Sequence, residues 1–151
     1  MAGKSDTLEF ALLQFIFNAV ATNFTLGSTA GSTSLWLGLC TADPGEAGST
    51  ANEGGYAAYT RAKTDRSSAA STGWAVSSGT SAALPVASPV TTVSFPQNTA
   101  TSTGTFTHAA VYTSSNVGTS GMLYFGAITP TIAFSQNVTP QLTSGSSITE
   151  E

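Results

Sequence analysis

One histidine, one cysteine and twelve formally charged residues are all that this 151-residue chain offers for acid–base, nucleophilic or metal chemistry. A nucleophilic enzyme needs a nucleophile, a base and a group that orients the base. His108 is the only imidazole, and it falls inside an alternating run of β-formers with no Gly-x-Ser-x-Gly elbow anywhere in the chain. The reading of His108 is a half-buried or interface ring hydrogen-bonded to a neighbouring Thr or a carbonyl. Cys40 closes an apolar stretch without a basic neighbour to lower its pKa, which suits a small buried residue. One His and one Cys cannot build a zinc site. Asp43, Glu46 and Glu53 share a glycine-rich loop, 43–53, whose oxygens could suit calcium, but the spacing matches no EF-hand and a solvated acidic loop is expected. No carboxylate lies between Ser67 and Thr149, so paired acids for glycoside cleavage are missing from that whole span. The glycines of 27–31 and 45–55 lack the following Lys-Ser/Thr of a phosphate loop. The expectation is a protein that is not an enzyme and takes no cofactor or metal.

Charge narrows the field further. Charged residues make up 8% of the chain, against about 25% in an average domain. Polarity comes instead from 21 Ser and 25 Thr. Four basic residues and a net charge of −4 argue against a nucleic-acid partner, which requires Lys and Arg to displace counterions. Three of the four basic residues, Arg61, Lys63 and Arg66, cluster around Asp65. They read either as the charged edge of a strand or as a docking patch for an acidic surface. With 40% hydrophobic residues the chain has enough apolar content to fold. A lone cysteine excludes an intrachain disulfide. The most apolar run, Phe10 to Phe17, is far short of the ~20 residues a membrane helix needs, so no membrane partner is expected. Asp6 and Glu9 also spoil a signal-peptide reading.

These residues must be carried on elements. Asp6 followed by Glu9 resembles a capping box, and the absence of Gly and Pro from Leu8 to about Ala21 predicts a helix. Leu8, Leu12, Phe15, Ile16, Ala19 and Val20 make one apolar face. Phe10, Leu13 and Phe17 fall on other sides, so the helix is apolar around most of its circumference, buried by its own fold or by another subunit. Strands are predicted at Leu35–Cys40, Tyr56–Thr64, Trp74–Val76, Val90–Phe95, Gly104–Tyr112, Met122–Ile128, Thr131–Phe134, Gln141–Thr143 and Ser147–Thr149. Asp43-Pro44-Gly45 and Ser114–Gly121 are turns. Met122–Ile128, continuously apolar, reads as the central strand. The pattern predicts a mainly β fold, an antiparallel β-sandwich or jelly-roll-like domain with one N-terminal α-helix. It is read as one domain over 1–151, with an arm and helix at 1–22 and a β domain at 33–149.

The order of these segments resembles a known family. Leu35-Trp36-Leu37-Gly38-Leu39-Cys40-Thr41-Ala42-Asp43-Pro44-Gly45 is followed by Gly54-Gly55-Tyr56-Ala57, an arginine at Arg61, and Trp74. Then come Val93-Ser94-Phe95-Pro96, Thr105–Tyr112 and Leu123–Ile128. The set is similar to small virion proteins of tailed bacteriophages, tail-fibre-like proteins and capsid decoration or cement proteins, across roughly Leu8 to Thr149. The family places its arginine one residue after Tyr-Ala, whereas here it comes four after Ala57. The resemblance implies a structural virion protein and supplies no catalytic residues. It points first to a cement protein, a homotrimer bound to the major capsid protein or another virion protein. Phe10, Leu13, Phe17, Arg61, Lys63 and Arg66 are the interface candidates. A tail-fibre or tail-tip subunit, and a carbohydrate-binding module stacking sugars on Trp36, Trp74 or Tyr56, are the alternatives.

Overall fold

A computed structural model describes residues 6–18, 34–45, 48–67, 70–77, 86–119 and 121–149, with side chains described beyond residue 11 and up to 148. The described elements are α1 (Asp6–Asn18), β1 (Ser34–Cys40), β2 (Ala62–Asp65), β3 (Trp74–Ser77), β4 (Val86–Pro89), β5 (Val93–Ser94), β6 (Gly104–Tyr112), β7 (Met122–Phe134), β8 (Gln141–Leu142) and β9 (Ile148–Thr149). The fold is mainly β, with antiparallel pairing and one helix. The chain forms two compact units. One takes 1–34, 64–92 and 142–151; the other takes 35–63 and 93–141.

The first unit sets α1 against β3 and β4 of a three-stranded sheet ordered β3-β4-β9. Leu13 and Phe17, one helical turn apart, are fully buried there. The Phe17 ring lies 4.4 Å from that of Trp74, itself 1% exposed. The Trp74 indole donates to Thr64 Oγ1 at 3.0 Å, so burying the ring leaves no orphan N–H. The last described turn of the helix carries no basic residue, and Arg66 brings a positive charge to it from outside. Its guanidinium donates to the carbonyls of Phe15 and Ile16. Burial pushes the Arg66 pKa below its ordinary value.

The second unit is built on a sheet ordered β2-β1-β6-β7, which places β1 and β6 in the middle. β1 pairs with β6 from Trp36↔Tyr112 to Cys40↔His108. Over this sheet lies an aromatic cluster. Phe106 and Phe134 have ring centroids 4.7 Å apart, Tyr56 lies 5.6 Å from Phe134, and Tyr59 stacks on Phe95 at 6.2 Å. The Phe134 ring occupies the space a side chain would need at Gly55 and Gly104, where a Cβ would come within 2.5 and 2.6 Å of it.

Several expectations change. The helix is described from Asp6 to Asn18; the residues before Asp6, the Asp6 side chain expected to cap it, and residues 19–21 lie outside what is described. Tyr56–Thr64 is a strand only from Ala62. Tyr56 and Tyr59 both point into the aromatic cluster, which residues three apart on a strand cannot do, and a turn closed by Tyr59 N–H to Tyr56 C=O makes it possible. Val90–Phe95 is divided between the two units: Val90 N–H bonds Gly73 C=O, and the strand resumes only at Val93. Met122–Ile128 is not central. It merges with Thr131–Phe134 into a 13-residue edge strand, where Pro130 is tolerated because one side needs no ladder donor.

Replacing Phe17 by Ala removes a fully buried ring from the helix–sheet contact, and a loss of about 3–5 kcal/mol is expected. Urea unfolding followed by far-UV circular dichroism measures it; a loss below 1 kcal/mol on this scale would mean that Phe17 does not anchor the helix.

Candidate functional site

The most elaborate polar arrangement joins two residues that the composition scatters eight positions apart. Glu53 is brought in by the return of the 41–54 loop onto the end of β1. Thr41 N–H bonds Asn52 C=O, Gly54 N–H bonds Leu39 C=O, and Glu53 bridges Cys40 as if extending the sheet. Gly54 turns the chain with φ of 76°, which glycine adopts without strain. Arg61 then reaches back from just before β2. Its Nε donates to Glu53 Oε1 at 2.6 Å and its Nη2 to Oε2 at 2.8 Å, a bidentate pair with both side chains fully buried. Nη1 donates to Ser114 C=O at 2.7 Å and Nη2 to Thr119 C=O at 3.0 Å. The guanidinium carbon sits 3.5 Å from the centre of the Tyr112 ring.

Four hydrogen bonds and an aromatic face replace the water that Arg61 gives up. Burial alone pushes its pKa down; the hydrogen bonds and charge of Glu53 outweigh that and the net direction is up. Room for the pair comes from Gly38 on β1. A Cβ there would fall 2.7 Å from the Tyr112 ring and 2.8 Å from Glu53 Oε1. The two carbonyl contacts fasten the turn that leads from β6 into β7. Gly118 N–H to Glu53 Oε2 and Thr50 Oγ1 to Gly118 C=O add longer bonds at 3.4 Å each. The arrangement is a clamp: it holds backbone in place and presents no open acid, base or nucleophile.

The residues singled out from the sequence go to different places. Arg61 is 3% exposed and belongs to the clamp, neither a strand-edge charge nor a docking cation. Glu53 is its partner, so the acidic loop is not solvated as a whole. Asp43 is exposed and accepts from Gly45 N–H at 2.8 Å in a tight turn; Glu46 lies outside the described residues. Arg66 serves the end of α1, while Lys63 is exposed on β2. Leu13 and Phe17 are buried within their own unit; the side chain of Phe10 lies outside the described residues. Trp74 and Tyr56 are buried, with the Tyr56 hydroxyl donating to Pro96 C=O at 2.6 Å, so of three sugar-stacking candidates Trp36 alone keeps partial exposure.

His108 is half-buried, its Nδ1 2.9 Å from Thr107 Oγ1. That hydroxyl donates its one proton to Thr41 C=O, which makes it the acceptor for Nδ1–H. Cys40 is fully buried and burial pushes its thiol pKa up. Among the described residues no three His, Cys, Asp or Glu come together as a metal site, and no helix is long and apolar enough to cross a membrane. The residues that sequence reasoning missed are Glu53 as Arg61's partner, Gly38 as the gap beside it, and Tyr112 as its aromatic cover. The available signal was Glu53, the one charged residue between Glu46 and Arg61 in the sequence.

The mainly β chain with this segment order belongs to the class of small tailed-bacteriophage virion proteins. Within that class, residues 3–148 match the family described as "Podophage GP4 fiber I protein gp80", and the chain belongs to that family. No curated protein matches it.

Removing one partner of the clamp strands a buried charge. Glu53→Gln or Arg61→Met should each cost about 3–5 kcal/mol, and the double variant should cost clearly less than the sum. A double-mutant cycle by urea unfolding measures this; additive losses would show the two side chains to be uncoupled. Burial also raises the phenol pKa values of Tyr59 and Tyr112. A raised pKa means the fold favours the neutral phenol. That stability is complete below about pH 10, the unfolded value, and is lost as pH climbs from there towards the folded values. Phenolate absorbance and circular dichroism followed together should show these two tyrosines ionising with the loss of structure. Full tyrosine ionisation in a still-folded chain would contradict it.

Proposed function

We propose that this chain is a non-enzymatic fibre subunit of a podophage tail apparatus, working through contacts with copies of itself and with a neighbouring virion protein. The observation that carries the reading is the match to a fibre protein family across residues 3–148. It supports a fibre over the capsid-cement role that the composition and segment order first favour. The structure is consistent in kind. Its most elaborate polar arrangement is spent on holding backbone, and the long neutral span from Ser67 to Thr149 carries seven of the nine described strands. A neutral surface lets identical copies pack at high local density without mutual repulsion. Each contact then gains from the effective concentration of its tethered neighbours. A closed homo-oligomer, with the trimer as the form first expected, suits such a subunit.

A cryo-EM map of the intact particle tests this. Few copies, confined to the tail, are expected. Copies spread in the hundreds over the head would overturn the fibre reading in favour of cement.

A further inference from the structure

The two loops that meet at the Arg61–Glu53 clamp are supported differently. The 41–54 loop carries its own frame. Thr41 N–H bonds Asn52 C=O and Gly54 N–H bonds Leu39 C=O, both at 2.9 Å, and Ser49 N–H reaches Pro44 C=O within the loop. Backbone bonds that do not involve Arg61 therefore deliver Glu53 to its place. The 114–119 turn is held less firmly from within. Thr119 N–H and Oγ1 both donate to Asn116 C=O, at 3.3 and 2.7 Å, and Asn116 N–H donates to Ser114 Oγ at 3.2 Å. Residues 115–119 are all exposed, so no buried side chain anchors them. Arg61 grips this turn at both ends, Ser114 C=O from Nη1 and Thr119 C=O from Nη2, 53 and 58 residues away in sequence. Elsewhere in the same unit a neutral side chain ties loops together. Asn98 is fully buried, bonds Val138 C=O and accepts from Asn137 N–H through its backbone, and holds Ser102 C=O with Nδ2 at 2.8 Å.

We propose that the 114–119 turn is a strap with Arg61 as its latch, opening and closing as one piece while the 41–54 loop and the sheet stay folded. Closed, the strap lies against Glu53, towards which Gly118 N–H points at 3.4 Å, and it holds Asn116 and Val117 out in one arrangement. Released, the carbonyls of Ser114 and Thr119 turn to water, which a segment this exposed reaches without unfolding its neighbours. Three features make Arg61 suited to the task. Its bonds to the two carbonyls carry a full charge on the donor and are stronger than neutral ones. Its planar fork reaches carboxylate and carbonyls from separate nitrogens, a geometry that a lysine lacks. Glu53 and the Tyr112 ring fix the guanidinium in place before the turn closes on it. A buried ion pair adds little net stability over apolar side chains of like volume, so what the pair contributes here is the position of the strap. The strap belongs to the second unit and is the same whether the chain sits on a tail or on a head.

Hydrogen exchange of the full chain, followed amide by amide by NMR, is the test. Thr113, whose N–H bonds Gly121 C=O, and Thr119 report on the strap; Thr41 and Gly54 report on the loop, and Asn98 on the distant tie. In the unaltered chain Thr113 and Thr119 should be protected to a similar degree, although Thr119 is exposed. Arg61→Lys keeps the charge beside Glu53 but offers one nitrogen in place of three. It should speed exchange at Thr113 and Thr119 about 10-fold or more, with Thr41, Gly54 and Asn98 unchanged. An unprotected Thr119 in the unaltered chain, unchanged rates at the two strap amides, or equal acceleration at all five overturns the proposal. Should Arg61→Lys fail to fold by circular dichroism, the double variant Glu53→Met/Arg61→Met decides, because it leaves no buried charge behind. The strap amides should then exchange about 100-fold faster against steady rates at the other three; strap amides that keep their protection overturn the proposal.

Discussion

A guanidinium carried into a protein interior must find an acceptor for nearly every N–H it takes out of water, because each one left bare costs on the order of 1–3 kcal/mol or more. Arg61 meets that demand with Glu53 and with two carbonyls of a single turn. Much of the second unit is arranged around this solution. The 41–54 loop must double back far enough to deliver Glu53, Gly38 must have no side chain, and Tyr112 must lie flat beneath the cation. The turn between β6 and β7 must pass within reach of Nη1 and Nη2. A chain with only twelve charges has placed two of them where they fix loop positions that apolar packing, being non-directional, would leave loose.

Arg66 applies the same economy in the first unit, where it ties the exit of α1 to the start of the segment leading to β3. In a mostly neutral protein, long cationic side chains thus act as fasteners between backbone segments. The described surface is otherwise mostly uncharged, with many exposed Ser and Thr and a few large apolar residues such as Leu123 and Phe125. This division of labour suits a structural virion protein, whose loops must keep their shape.

Legibility followed how local the signal was. β6 has the boundaries its alternation predicts, Gly104–Tyr112, and β1 and the closing short strands were equally visible, because period-two patterning and flanking turns are properties of a few consecutive residues. The edge position of β7 was not visible. A continuous apolar run reads the same whether a strand is buried in the middle of a sheet or waits at its rim, and only sheet order separates the two. Tyr56 and Tyr59 misled for the opposite reason: β-favouring residues were recruited by an aromatic cluster through a turn. At the polar site, Arg61 was noticed as part of a cluster adjacent in sequence. Its actual partner came from the preceding loop, and the three basic residues went to three separate places. Pairing across a fold is set by topology, which the spacing of charges along the chain does not encode.

The two units are interleaved along the chain, and this has a consequence for how the protein is made. The second unit has all its residues once synthesis passes 141, whereas the first draws on 1–34, 64–92 and 142–151. Its helix and its β3–β4 hairpin must wait for β9, which pairs with β4. An emerging chain would therefore complete its middle before its beginning. The unit that holds the Arg61–Glu53 clamp is the first to become whole.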